Sequence, residues 1–77
     1  MDVTIYTTPT CGFCKTEAQW LDSLGIKYTM KDIVSDPEAA KELEAKVPGA
    51  TGVPVTDING TIIRGFDRPK LKEALNV

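Results

Sequence analysis

Two cysteines, two residues apart, sit where a strand pattern gives way to a helix pattern, and this junction constrains the chain more than any other feature. Val3-Thr4-Ile5-Tyr6 is rich in β-branched and aromatic residues and predicts a strand. Beyond it, Ala18, Leu21 and Leu24 recur with Cys14 at roughly helical spacing, which puts Cys14 on the inner stripe of a helix. Cys11 then falls at or just before the first turn. Unpaired backbone N–H groups and the positive end of the helix dipole favour an anion there. A cysteine anion is a thiolate, the form that attacks disulfides. The expected roles are therefore unequal: Cys11 is an exposed nucleophile and Cys14 waits one turn behind it.

Other roles for the pair fare worse. A zinc site needs about four ligands, and two cysteines with no histidine cannot supply a standard set from one chain. A purely structural disulfide would close a loop too short to restrict the unfolded chain much. Two buried bystander cysteines would not need this spacing. A redox pair suits a Cys-x-x-Cys in a strand–turn–helix context. The 77 residues allow one small domain, spanning 1–77, and a formal net charge of −2 argues against general affinity for nucleic acid or anionic membrane. The start Met1-Asp2-Val3-Thr4 has neither a basic leader nor a signal-like apolar run, and no stretch approaches the ~20 apolar residues that span a bilayer. The expectation is a cytoplasmic protein, where a cysteine pair is more often catalytic than structural.

Along the chain, the first strand (about Asp2 to Thr7) ends before Pro9, and the first helix (Cys11 to Leu24) ends at Gly25. Phe13 and Trp20 lie beside the Cys14 stripe and are expected to be partly buried; the alternative for Phe13 is a docking surface. Ile26 to Ile33 predicts a second strand with Ile26, Tyr28 and Met30 on one face, completing a right-handed βαβ unit. Asp36-Pro37 is a helix start signal, followed by an inner stripe of Ala40, Leu43 and Val47 and an end at Pro48-Gly49. After a loop over 49–52, Val53 to Ile58 and Thr61 to Arg64 flank Asn59-Gly60, a strong hairpin signal. Pro54 is a misfit inside a strand. A short last helix follows Gly65-Phe66-Asp67-Arg68-Pro69, with Leu71, Ala74 and Leu75 inward. The predicted order is βαβαββα, an α/β arrangement with a four-stranded mixed sheet and three helices.

That order, the Cys-x-x-Cys after the first strand, and the Val53-Pro54 before the third together resemble the glutaredoxins, and more closely the short prokaryotic glutaredoxin-like proteins and the redoxins that serve ribonucleotide reductase. The resemblance implies a thioredoxin fold and thiol–disulfide exchange on disulfide-containing protein substrates, by a monomer with no tightly bound cofactor or metal. By position, Cys11 matches the attacking cysteine, Cys14 the resolving cysteine and Pro54 a cis-proline beside the site. The backbone of Val53 would then pair with an incoming peptide or glutathione. Gly65 matches a glycine at close ligand approach. Asp67 matches an acidic residue near the glutathione amino group, and it is equally suited to cap the last helix. Thr8, Thr10, Phe13 and Phe66 complete the expected substrate- or glutathione-binding set.

The chain also departs from the common glutaredoxin pattern. Thr8 stands where a lysine usually faces the glutathione carboxylate. Gly52 replaces the threonine before Val-Pro, Gly65-Phe66 replaces a glycine pair, and Arg68 replaces an acidic residue. Gly-Phe with a nearby Arg-Pro is more like the ribonucleotide-reductase redoxins, which take electrons from thioredoxin reductase, so that enzyme and glutathione are both candidate donors. Gly12-Phe13 matches the monothiol glutaredoxins that carry iron–sulfur clusters. The alternative function is therefore a glutathione-assisted cluster carrier, which Cys14 opposes by offering Cys11 a disulfide partner. A module that keeps the fold but acts only through protein contacts is a further alternative.

Overall fold

A computed structural model of the protein describes residues 2–49 and 52–77. Seven elements follow in order: β1 (Val3–Thr7), α1 (Gly12–Ser23), β2 (Thr29–Asp32), α2 (Pro37–Lys46), β3 (Val55–Ile58), β4 (Thr61–Arg64) and α3 (Arg68–Leu75). The strands form one sheet in the order β2-β1-β3-β4, with β1 parallel to β2 and both β1–β3 and β3–β4 antiparallel. This is the thioredoxin fold with the expected βαβαββα order.

Alternation along the strands divides the core between the two faces of the sheet. Val3, Ile5, Ile58 and Ile63 pack with Leu21 of α1 and with Leu71 and Leu75 of α3. On the other face Tyr6 and Val55 pack with Ala39 and Leu43 of α2 and with Val47 just beyond it. The register lines up Ile5, Thr56 and Ile63 in one row across the three strands. That row underlies the helix carrying the cysteines.

The helix ends follow their local chemistry. Asp36 caps α2 by accepting from the N–H groups of Glu38 and Ala39, with Pro37 in the first turn. At the end of α1, the N–H of Ile26 reaches the carbonyl of Leu21 and that of Gly25 reaches Asp22, the paired bonds of a Schellman ending. Asn59 and Gly60 both have positive φ, 51° and 93°, as a two-residue hairpin turn of the I′ type demands.

Several boundaries differ from the expectation. Leu24 is the C-cap of α1 and is 42% exposed, so the inner stripe ends at Leu21. β2 starts at Thr29; Ile26 and Tyr28 precede it yet pack on the core, whereas Met30 lies on this edge strand and stays 40% exposed. In α2 the wholly buried position is Ala39, with Ala40 half-buried, because a start at Pro37 sets the stripe at 39, 43 and 47. β3 starts at Val55, after a proline that has no N–H for the ladder. In the loop assigned to 49–52, Ala50 and Thr51 lie outside the described residues, as does Met1.

Candidate active site

The end of β1, the turn Thr8–Thr10 and the start of α1 put the cysteines at one end of the sheet. Cys11 is the N-cap of α1: its backbone is extended, and its Sγ accepts from the N–H of Cys14 at 3.1 Å. The N–H of Cys11 itself reaches the carbonyl of Thr8 at 3.2 Å, closing the turn that delivers the cap. Cys11 is half-buried rather than fully exposed, while Cys14, on the inner face one turn along, is wholly buried. The two are joined as a disulfide with their Cα atoms 5.3 Å apart. A sulfur at Cys11 thus sits among orphan N–H donors at the positive end of a twelve-residue helix, where negative charge is stabilised.

The antiparallel register brings a second segment to the same end. Val55 pairs with Tyr6 near the end of β1, so Pro54 and Val53 lie level with the turn that leads to Cys11. The Val53–Pro54 bond is cis, as the resemblance implied. Beyond β4, the N–H of Gly65 donates to the carbonyl of Pro54 at 2.8 Å. Gly65 has φ of 74°, and a Cβ there would meet nothing within 4 Å, so its backbone conformation is what calls for glycine. A cleft of about 250 Å³ runs along Gly52, Val53, Pro54, Arg64 and Gly65. A larger cleft lies at the opposite end of the sheet, by Val3, Tyr28 and Gly60, away from the cysteines.

The remaining expected site residues scatter. Phe13 is 68% exposed and packs on none of the core, which corrects its assignment as partly buried and leaves an apolar ring beside the cysteines. Thr8 is half-buried and Thr10 is exposed. Phe66 turns toward α1, where its ring meets Trp20 edge-on at 6.0 Å between centroids, and it joins the core. Asp67 caps α3, with its Oδ1 accepting from the N–H of Lys70 at 3.3 Å.

One residue at this site is absent from the sequence-based set. Glu17 is wholly buried on the inner stripe of α1, with Cys14, Ala18 and Leu21. Its Oε2 accepts from the hydroxyl of Thr56, two residues after Pro54, at 2.5 Å, and its Oε1 has no partner. Burial pushes its carboxyl above the ordinary 4.5, against a smaller opposing effect of the Thr56 hydrogen bond. The signal was present in the spacing: positions 14, 17, 18 and 21 follow the i, i+3, i+4, i+7 pattern of a buried helix face.

A family model described as glutaredoxin matches residues 3–63. The chain belongs to the glutaredoxin family. It is 32% identical over 73 residues to an uncharacterized glutaredoxin-like 8.6 kDa protein in the rubredoxin operon of Clostridium pasteurianum, covering 95% of this chain and 96% of that one. Among solved structures, the thioredoxin-like protein BC3987 in a mutant form superposes with a TM-score of 0.89 at 25% identity, covering 97% of this chain and 95% of that one. The glutaredoxin-like NrdH-redoxin of Escherichia coli, described by its thioredoxin-like activity profile, gives 0.82 at 27% identity, covering 95% and 93%. The chain is thus a glutaredoxin-family protein with a Cys-x-x-Cys disulfide. Among the described residues, no helix is long and apolar enough to cross a membrane.

Proposed function

We propose that this chain is a dithiol–disulfide oxidoreductase, one domain over residues 1–77, that reduces protein disulfides through Cys11 and Cys14. The observation that carries this reading is the capped sulfur: Cys11 Sγ accepts the Cys14 N–H at the start of α1, at the end of the sheet where the Val53–Pro54 segment also lies. Cys11 thiolate attacks a substrate disulfide and forms a mixed disulfide. Cys14 then attacks Cys11 Sγ, releases the reduced substrate and leaves the internal disulfide. An extended substrate segment pairs with the Val53 backbone, and Phe13 provides apolar contact at the rim. Thioredoxin reductase is the electron donor, in keeping with the likeness to NrdH-redoxin and with Thr8 in the usual lysine position.

Two variants test the division of labour. Cys11→Ser abolishes exchange altogether. Cys14→Ser still forms mixed disulfides but releases substrate slowly unless an external thiol resolves them. On the reduced protein at about pH 6, below the ordinary thiol range near 8.5, iodoacetamide labels Cys11 faster than Cys14. Faster labelling of Cys14 would overturn the assignment.

A further inference from the structure

In the resolving step the proton of Cys14 needs an acceptor. Cys14 is wholly buried, and its backbone N–H is already spent on Cys11 Sγ. Burial in apolar surroundings disfavours a thiolate, yet Cys14 must lose its proton to attack. The chain contains no histidine, the commonest proton acceptor in such sites. The helix nevertheless places a carboxyl one turn beyond Cys14 on the same buried face. Residues three apart on a helix surface are neighbours, about 5–6 Å between Cβ atoms.

The other contents of this face sharpen the case. In the row beneath α1, Ile5 and Ile63 flank Thr56, and α3 contributes Leu71 and Leu75. Apart from the cysteines, the ionisable groups that β2 and the segment before it add to this face are Tyr28, whose hydroxyl donates to Asp22 Oδ2 toward the far end of α1, and Asp32 at the end of β2. Its carboxylate is committed to the N–H groups of Val34 and Ser35. The charged side chains of Lys46 and Asp57 pair with each other, and Lys46 also reaches Tyr6, on the opposite face with α2. Glu17 holds Thr56 through Oε2 and keeps Oε1 unpartnered in the disulfide form. A buried acceptor left unmatched is unfavourable, so Oε1 is poised to take a donor. Reduction would create one new donor on this face, the thiol of Cys14.

We propose that Glu17 is the proton acceptor for Cys14 in the resolving step, with Thr56 positioning its carboxylate. This rests on the exchange mechanism proposed above. In the mixed disulfide the Cys14 S–H proton passes to Glu17 Oε1 and the thiolate attacks Cys11 Sγ. The Cys11–Cys14 bond forms as the bond from Cys11 to the substrate sulfur breaks. That sulfur leaves with the electron pair and takes a proton from water, and Glu17 later returns its own proton to solvent. The substrate disulfide is reduced by two electrons and the cysteine pair is oxidised by two. A carboxyl held above its ordinary range by burial is the better matched acceptor for a thiol proton.

Ellman's reagent separates the two steps, because each releases one coloured thiolate. Stopped-flow mixing with the reduced protein gives a first burst for attack by Cys11 and a second for resolution by Cys14. Glu17→Gln, which keeps the size of the side chain and an acceptor for Thr56, leaves the first burst unchanged. It slows the second by about a hundredfold, the lower end of general-base effects. In the unaltered protein the second burst carries an ionisation below the thiol range, and the variant lacks it. No first burst in the unaltered protein would sink the exchange mechanism itself. A normal first burst with an equal second burst in Glu17→Gln, or equal slowing of both, would overturn the role of Glu17. Should the variant not fold, the pH profile of the unaltered protein decides: resolution governed by a thiol-range ionisation alone would overturn it.

Discussion

Asp67 carries a carboxylate for which two roles compete, and at the scale of single residues the two can be separated. Its Oδ1 accepts the Lys70 N–H as the N-cap of α3, whereas the family pattern offers the same group to a ligand ammonium. Asparagine caps a helix as well as aspartate does, while alanine does not. Asp67→Ala should therefore lose about 1 kcal/mol in urea unfolding, and Asp67→Asn should stay close to the parent. Equal losses in the two variants would mean that charge rather than the cap is what α3 uses. Phe13 gives the complementary case. A ring 68% exposed holds no core together, so Phe13→Ala should change stability by no more than about 0.5 kcal/mol, as at ordinary surface positions. The same change should raise KM for a protein disulfide more than for a small aromatic disulfide. A large loss of stability would show that Phe13 packs after all.

At the scale of elements, α1 and β3 meet through the Glu17–Thr56 hydrogen bond, and this contact makes stability depend on pH. In the unfolded chain Glu17 titrates near its ordinary 4.5; in the fold, burial raises that value. Between the two values the folded state keeps a proton that the unfolded state has released. Stability from this group is therefore full below about 4.5, falls as pH rises through the folded value, and stays low beyond it. Glu42, lowered by its hydrogen bonds to Lys31 and Tyr6, works in the opposite direction, so the difference between proteins is the informative quantity. Urea unfolding across pH 4 to 8 should show Glu17→Gln gaining on the parent as pH rises. Parallel profiles would mean that Glu17 is not held above its ordinary range. The elements themselves were legible in the sequence wherever the signal was local. Asp36-Pro37, Gly25 and Asn59-Gly60 each mark an end or a turn through their own backbone requirements. Glu17 matched a helical stripe but carries a charge, and its partner Thr56 lies 39 residues away. Phe66 was expected at the site from the family resemblance, and its packing against Trp20 was not legible, because that contact exists only once α1 and β4 lie on one sheet.

For the whole molecule, the proposed donor follows from what the chain offers glutathione and what it lacks. Glutathione presents two carboxylates and one ammonium, and charge-assisted hydrogen bonds to such groups contribute roughly 1.5–3 kcal/mol each, about ten- to hundredfold in affinity apiece. The half-buried Thr8 has no charge to offer where the family usually places a lysine. Gly52 offers no side chain, Phe66 is turned into the core against Trp20, and Asp67 is engaged at the helix cap. Among the described residues, Arg64 is the cation lining the cleft, whereas Arg68, at the start of α3, lies on a separate surface with Trp20, Pro69 and Lys72. On the proposed reading, losing one charge-assisted contact and weakening others should lower glutathione affinity by about tens- to hundreds-fold. A reductase that docks by surface complementarity would, on the same reading, use the exposed Phe13 and the half-buried Cys11 instead. With a disulfide substrate, NADPH consumption should therefore be rapid with thioredoxin reductase from the same organism and slow with glutathione plus glutathione reductase. Introducing Thr8→Lys should raise the glutathione-dependent rate by about tenfold, the return of one charged contact, and leave the thioredoxin-reductase rate nearly unchanged. Rapid turnover in the glutathione arm alone would sink the assignment of the donor while leaving the roles of Cys11 and Cys14 intact.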